Sequence, residues 1–152
     1  MIEMVYATKR ETIILDSGTV EEVPYFIIST GIHPCAYLGV PLDHPLAGIY
    51  YDNVPLGVHG GLTFSQFGEG KYLPSGFYWF GWDYGHCDDY AEYRKNFPTY
   101  NGEKRKKWTT AEIKKEIEGV IYDFKRLMTL SEKIVAKDRL KVIKQKEDLC
   151  LS

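Results

Sequence analysis

Cysteine is scarce in this chain: Cys35, Cys87 and Cys150 are the only three. No two of them form a CxxC pair and one is left over, which argues against a disulfide framework and for a reducing, cytoplasmic location. No apolar run comes near the roughly 20 residues that a bilayer-spanning helix needs. The opening residues, Met1-Ile2-Glu3-Met4, lack a basic segment followed by an apolar one, which predicts no secretory signal and no membrane attachment. Charge of one sign is also missing. The 19 Lys and Arg nearly balance the 21 Asp and Glu, for a net −2, so overall charge gives no strong signal for a nucleic-acid partner. There is no internal repeat, no low-complexity segment and no compact metalloprotease signature of the HExxH kind.

What is present is an ordinary globular composition with an excess of rings. At 152 residues with 44% apolar content, the chain can build one domain around a real core. Aromatics reach 14%, including 12 Tyr, and most precede Trp108. Met1–Ala7 and Thr12–Leu15 are rich in strand formers. Asp16-Ser17-Gly18-Thr19 reads as a turn. Tyr25–Thr30 is a strand stopped by Gly31. Cys35–Val40 is a short apolar strand bounded by Pro34 and Pro41, since proline cannot donate to a sheet ladder. His33 and His44 each precede a proline and are pushed toward extended geometry. Leu56–Phe67 reads as a strand interrupted by Gly60-Gly61, a pair that marks a bulge or a close approach to the backbone. Phe67–Gly76 is a turn region. Phe77–Asp83 is the most apolar strand, and it pairs with the preceding one as a hairpin.

The helical signal comes late. Thr109 followed by Glu112 is a capping box. Ile113, Ile117, Val120, Ile121, Phe124, Leu127 and Met128 then recur at spacings of three and four, enough to cover one face of a sheet. Ser131–Ser152 is Lys-rich with weaker periodicity and reads as a second helix, a candidate for homo-oligomer contact. The basic run Lys104–Lys107 reads as a solvated loop. The expected fold is therefore α+β, a mostly antiparallel sheet of five to seven strands with one or two C-terminal helices on one face. Residues 1–130 form the domain and 131–152 a helical extension.

Chemistry-bearing residues concentrate between Val58 and Asp89. Val58-His59-Gly60-Gly61-Leu62-Thr63-Phe64 and Trp79-Phe80-Gly81-Trp82-Asp83, continuing to His86 and Asp89, each set a histidine beside glycine near a strand end. Together with His33-Pro34-Cys35, Tyr37, Pro41, His44-Pro45, Gly48, Tyr51-Asp52 and the closing amphipathic helix, these motifs resemble a family of small phage- and prophage-associated proteins. The resemblance spans roughly Gly31 to Leu130. In that family the last motif commonly runs Gly-Phe-Asp-Cys-Ala-His-x-Gly-Asp. Gly81, Asp83, His86 and Asp89 match it, whereas Cys87 follows the histidine instead of preceding it. The resemblance implies no activity, so function rests on the residues.

Three chemistries are open. His59, His86, Asp88 and Asp89 are of the types that hold a divalent metal, a candidate cofactor that activates water. Without a metal, His59 is a base oriented by Asp83 or Asp89, with Cys35, Thr63 or Ser65 as nucleophile. Alternatively, an aromatic rim of Tyr50, Tyr51, Trp79, Trp82 and Tyr84 stacks a nucleotide-like small molecule whose phosphate meets the Gly60 and Gly61 N–H groups. A host-protein-binding accessory protein would need no catalytic set. Common to the first three is a site of His59, Asp83, His86 and Asp89 with Gly60, Gly61, Thr63, Tyr51 and Trp82 around it. The competing structural reading gives Asp83 and Asp89 to turn capping and the aromatics to the core.

Overall fold

A computed structural model describes residues 11–86, 89–90 and 105–151, with side chains through Leu149. The expected strand in Met1–Ala7, Cys87 and Asp88 lie outside the described residues.

Five strands form one antiparallel sheet: β1 (Ile13–Val20), β2 (Val23–Ser29), β3 (Pro34–Pro41), β4 (Phe64–Phe67) and β5 (Phe77–Asp83). Their spatial order is β1-β2-β3-β5-β4. Among the described residues one α-helix follows, α1 (Thr110–Leu151). Period-two alternation assigns the two faces. Tyr25, Ile27, Ala36, Leu38, Val40, Tyr78, Phe80, Trp82 and Tyr84 pack with Ile113, Ile117, Ile121 and Phe124 of α1 in the main core. The opposite face buries Ile28, Leu73 and Trp79, with Phe26, Tyr37 and Phe64 beside them. Each fully buried helix side chain contributes about 2–3 kcal/mol, which is why the sequence periodicity and the docked face coincide.

Several expectations are corrected. Asp16–Thr19 is not a turn but lies inside β1. Gly18 pairs with Tyr25, whose ring lies in ordinary contact distance of the place a Cβ would occupy. Asp16 accepts from the Tyr25 hydroxyl at 2.9 Å. The chain turns instead at Glu21-Glu22, both left-handed with φ 46° and 72°. Of the expected strand Leu56–Phe67, only Phe64–Phe67 pairs with β5. Gly60 and Gly61, at φ 69° and 83°, form a turn. Nor is there a second helix among the described residues. Thr109–Glu112 closes as a reciprocal cap, with Glu112 N–H donating to Thr109 Oγ1 at 3.2 Å and Thr109 N–H to Glu112 Oε1 at 3.1 Å. From there α1 runs unbroken past Leu130. Neither Gly nor Pro interrupts it there, and the Thr129 and Ser131 hydroxyls donate back to the carbonyls of Lys125 and Leu127 without leaving the helix. No described helix is long and apolar enough to cross a membrane.

The Glu21-Glu22 turn is a two-residue hairpin in a conformation that suits Asn-Gly. A left-handed non-glycine residue costs about 1–2 kcal/mol. Glu22→Gly is expected to raise stability by about 1 kcal/mol, read as an upward shift of the urea midpoint with unchanged slope.

Candidate active site

The end of β5 and the Val58–Gly61 turn meet where the sequence placed its histidines. β5 delivers Asp83 to the sheet edge, and the chain then folds back through Tyr84, Gly85 and His86. Tyr84 is fully buried. Its ring stacks on His59 with centroids 4.7 Å apart and planes 9° from parallel. Trp108, just before the α1 cap, lies 5.0 Å from both the His59 and the Tyr84 ring, edge-on to the imidazole. His59 is thus one corner of a three-ring cluster, its side chain 24% exposed.

Asp89 is the organising group. Only 2% exposed, it accepts three hydrogen bonds. Oδ2 takes His59 Nε2 at 2.8 Å and the His86 N–H at 3.1 Å, and Oδ1 takes Trp108 Nε1 at 2.8 Å. A buried carboxylate is tolerable only with such company. With Nε2 engaged, the other ring nitrogen, Nδ1, makes no hydrogen bond among the described residues.

Asp83 organises the second histidine. Oδ1 accepts the Gly85 N–H at 3.0 Å, Oδ2 accepts the Thr63 hydroxyl at 3.3 Å, and Oδ1 lies 3.5 Å from His86 Nε2. Both aspartates therefore also bond backbone N–H groups in the turn, so the capping role and the site role share the same residues. The His86 ring is 37% exposed, yet Nε2 is turned inward against Gly60. A Cβ at Gly60 would collide with it. The close backbone approach expected at Gly60-Gly61 is thus made by an imidazole of the same protein.

His59, His86, Asp83 and Asp89 converge, with Gly60 and Thr63 at their edge. The aromatic rim does not assemble. Trp82 is a core residue, 1% exposed, and its indole N–H is used by the Tyr84 hydroxyl at 3.1 Å. Trp79 is fully buried on the opposite sheet face. The Gly61 N–H is used by Val58 O at 2.9 Å. Tyr51 starts a short 3-10 turn, its N–H donating to Ser65 Oγ at 3.0 Å, so the Ser65 hydroxyl is engaged there as an acceptor. Cys35 is buried, which pushes its thiol up to about 11, so it is no nucleophile at neutral pH. Burial likewise raises the Tyr84 phenol, with Glu116 adding to the effect.

Sequence reasoning missed Trp108 altogether. Its indole N–H on Asp89 is supplied across a gap of 19 residues, and the one available signal was its place directly before the capping box. Lys106 sits over the Trp108 ring at 3.8 Å and pairs with Glu112 at 2.9 Å. The Lys106 contact, with the Thr109 bonds, holds the Glu112 carboxyl below its usual range. Two hollows, of about 690 and 270 Å3, open along α1 near Glu21 and Lys125. No residue of the His/Asp cluster lines either one.

No protein-family model, curated protein or solved structure matches this chain.

Two outcomes check this geometry. Asp89→Ala would leave three donors without their acceptor and is expected to destabilise the fold by about 2 kcal/mol or more in urea melts. Cys35 is expected to resist iodoacetamide in the native protein at pH 8 and to react at once after unfolding, as mass mapping of the Cys35 peptide would show.

Proposed function

We propose that this chain carries a hydrolytic site for a small molecule, with His59 as general base. The Asp89–His59 contact carries the reading. A buried carboxylate holding one imidazole nitrogen fixes the ring's tautomer and orientation, leaving the other nitrogen to draw a proton from water or a hydroxyl. Tyr84 and Trp108 hold the ring in place, and Asp83 and His86 add a second polar pair beside it. Such a site suits a small accessory protein of the phage and prophage kind that the motifs resemble.

A metal-dependent form of the same chemistry has its own support. His59, His86 and Asp89 each offer one ligand atom, and the three lie within 4.8 Å of one another. Two imidazoles and a carboxylate suit a first-row divalent ion, which would lower the pKa of bound water and supply hydroxide. Zinc and manganese are the ions to try.

The test is turnover of a panel of p-nitrophenyl esters and phosphoesters, with and without chelator. His59→Ala is expected to lower the rate by about 10²–10⁴-fold with an unchanged far-UV circular dichroism spectrum. Chelator-resistant turnover supports the metal-free base. Turnover lost to chelator and restored by zinc or manganese assigns the site to the metal. A wild-type protein that turns over none of the panel, yet is stabilised by nucleotides in a thermal-shift assay, would replace hydrolysis with binding.

A further inference from the structure

The near-neutral total charge conceals a segregation. Residues 104–152 hold 14 of the 19 Lys and Arg but only 8 of the 21 Asp and Glu. That leaves +6 there and −8 on the rest of the chain. Four of those six net charges belong to Lys104–Lys107, and the far half of α1, Ser131–Leu151, adds two more, six cations against four acids. Between Lys133 and Lys146 there are six cations, Lys133, Lys137, Arg139, Lys141, Lys144 and Lys146, against Asp138 alone. All six are exposed.

Four of them form a row. At 3.6 residues per turn, Lys133, Lys137, Lys141 and Lys144 fall within an arc of about 80° with no acid between them, and the same arc holds Arg126 and Asp123 on one side of the row and Asp148 beyond its far end. The row lies roughly opposite the side on which Ile117 and Phe124 enter the core. It extends about 16 Å from Lys133 to Lys144. Lys133–Lys137 and Lys137–Lys141 are like-charge pairs at i,i+4, each of which works against the helix. Among the described residues no carboxylate is paired with any of the four. The row lies beyond the furthest ion pair between α1 and the sheet-bearing part among the described residues, Glu132 with His44 at 3.4 Å.

We infer that this face of α1 is a docking surface for the phosphate backbone of a nucleic-acid duplex, bound without regard to sequence. Charge complementarity is the argument. A straight lysine row that repels itself is relieved by a polyanion with regularly spaced charges, and an α-helix fits a duplex DNA groove. A membrane surface fits less well. Interfacial helices need a broad apolar face behind the basic one. Here Val135, Val142 and Leu149 are interrupted by Ser131, Asp138 and Gln145, with Arg139 and Lys146 alongside.

The experiment is fluorescence anisotropy of the full chain on a labelled DNA duplex of about 20 bp, roughly two helical turns, with an RNA duplex of equal length alongside. Neutralising about four phosphates gives a slope of log K against log salt near −3.6, so binding should weaken about 150-fold between about 50 and 200 mM salt. Replacing all four lysines (K133Q, K137Q, K141Q and K144Q together) should abolish that slope. The control pair R139Q and K146Q, off the row, should change the slope by less than about 0.5, whereas an effect of bulk charge alone would change it by about 1.8. Preference for RNA over DNA would still support backbone docking. Any of three results overturns it: no binding to either duplex at about 50 mM salt, equal loss per charge in the two variants, or equal binding to phosphatidylserine vesicles at the same salt.

Discussion

The buried carboxylate of Asp89 is the constraint around which the rest of the candidate site is arranged. It joins three separate parts of the chain: His59 from the glycine turn, the His86 backbone from the segment after β5, and Trp108 from the approach to α1. A charge taken this far out of water needs every donor it has. The energetic demand of burying Asp89 and the geometric demand of fixing His59 are therefore met by the same bonds.

That arrangement depends in turn on the sheet having two covered faces. β5 is an interior strand, flanked by β3 and β4. Its alternate side chains enter different cores, Trp82 under α1 and Trp79 on the reverse. A strand anchored on both faces has little freedom to shift register, because a slip by one residue would exchange those two tryptophans. Asp83 and Tyr84, at its end, inherit that rigidity. Polar side chains are thus positioned by large aromatic ones that take no part in the chemistry.

Much of this was legible in the sequence, and the failures share a cause. The limits of β5, the proline-bounded β3, the capping box and the apolar stripe of α1 all follow from local chemistry, which packing reinforced. The convergence of His59 with Asp83, His86 and Asp89 was also inferable, because a hairpin brings both ends of its strands together. Gly18 misled because glycine signals a turn, whereas the hairpin turns at Glu21 and Glu22, whose left-handed backbone no glycine or asparagine marks. Trp82 misled because position along a strand fixes a side but not which side is open. Trp108 carried no local mark of its long-range bond. The lysine row on α1 was hidden because the helix as a whole, with ten cations and eight acids, is close to neutral.

The unbroken course of α1 has a mechanical consequence. A helix of 42 residues is a rod of about 63 Å, and nothing in its sequence provides a hinge near Leu130. From its capped beginning beside Trp108 to the start of the lysine row is about 35 Å. Whatever grips the far half therefore keeps the histidine cluster at a set stand-off, as a ruler would, and a small ligand held by that cluster cannot touch both.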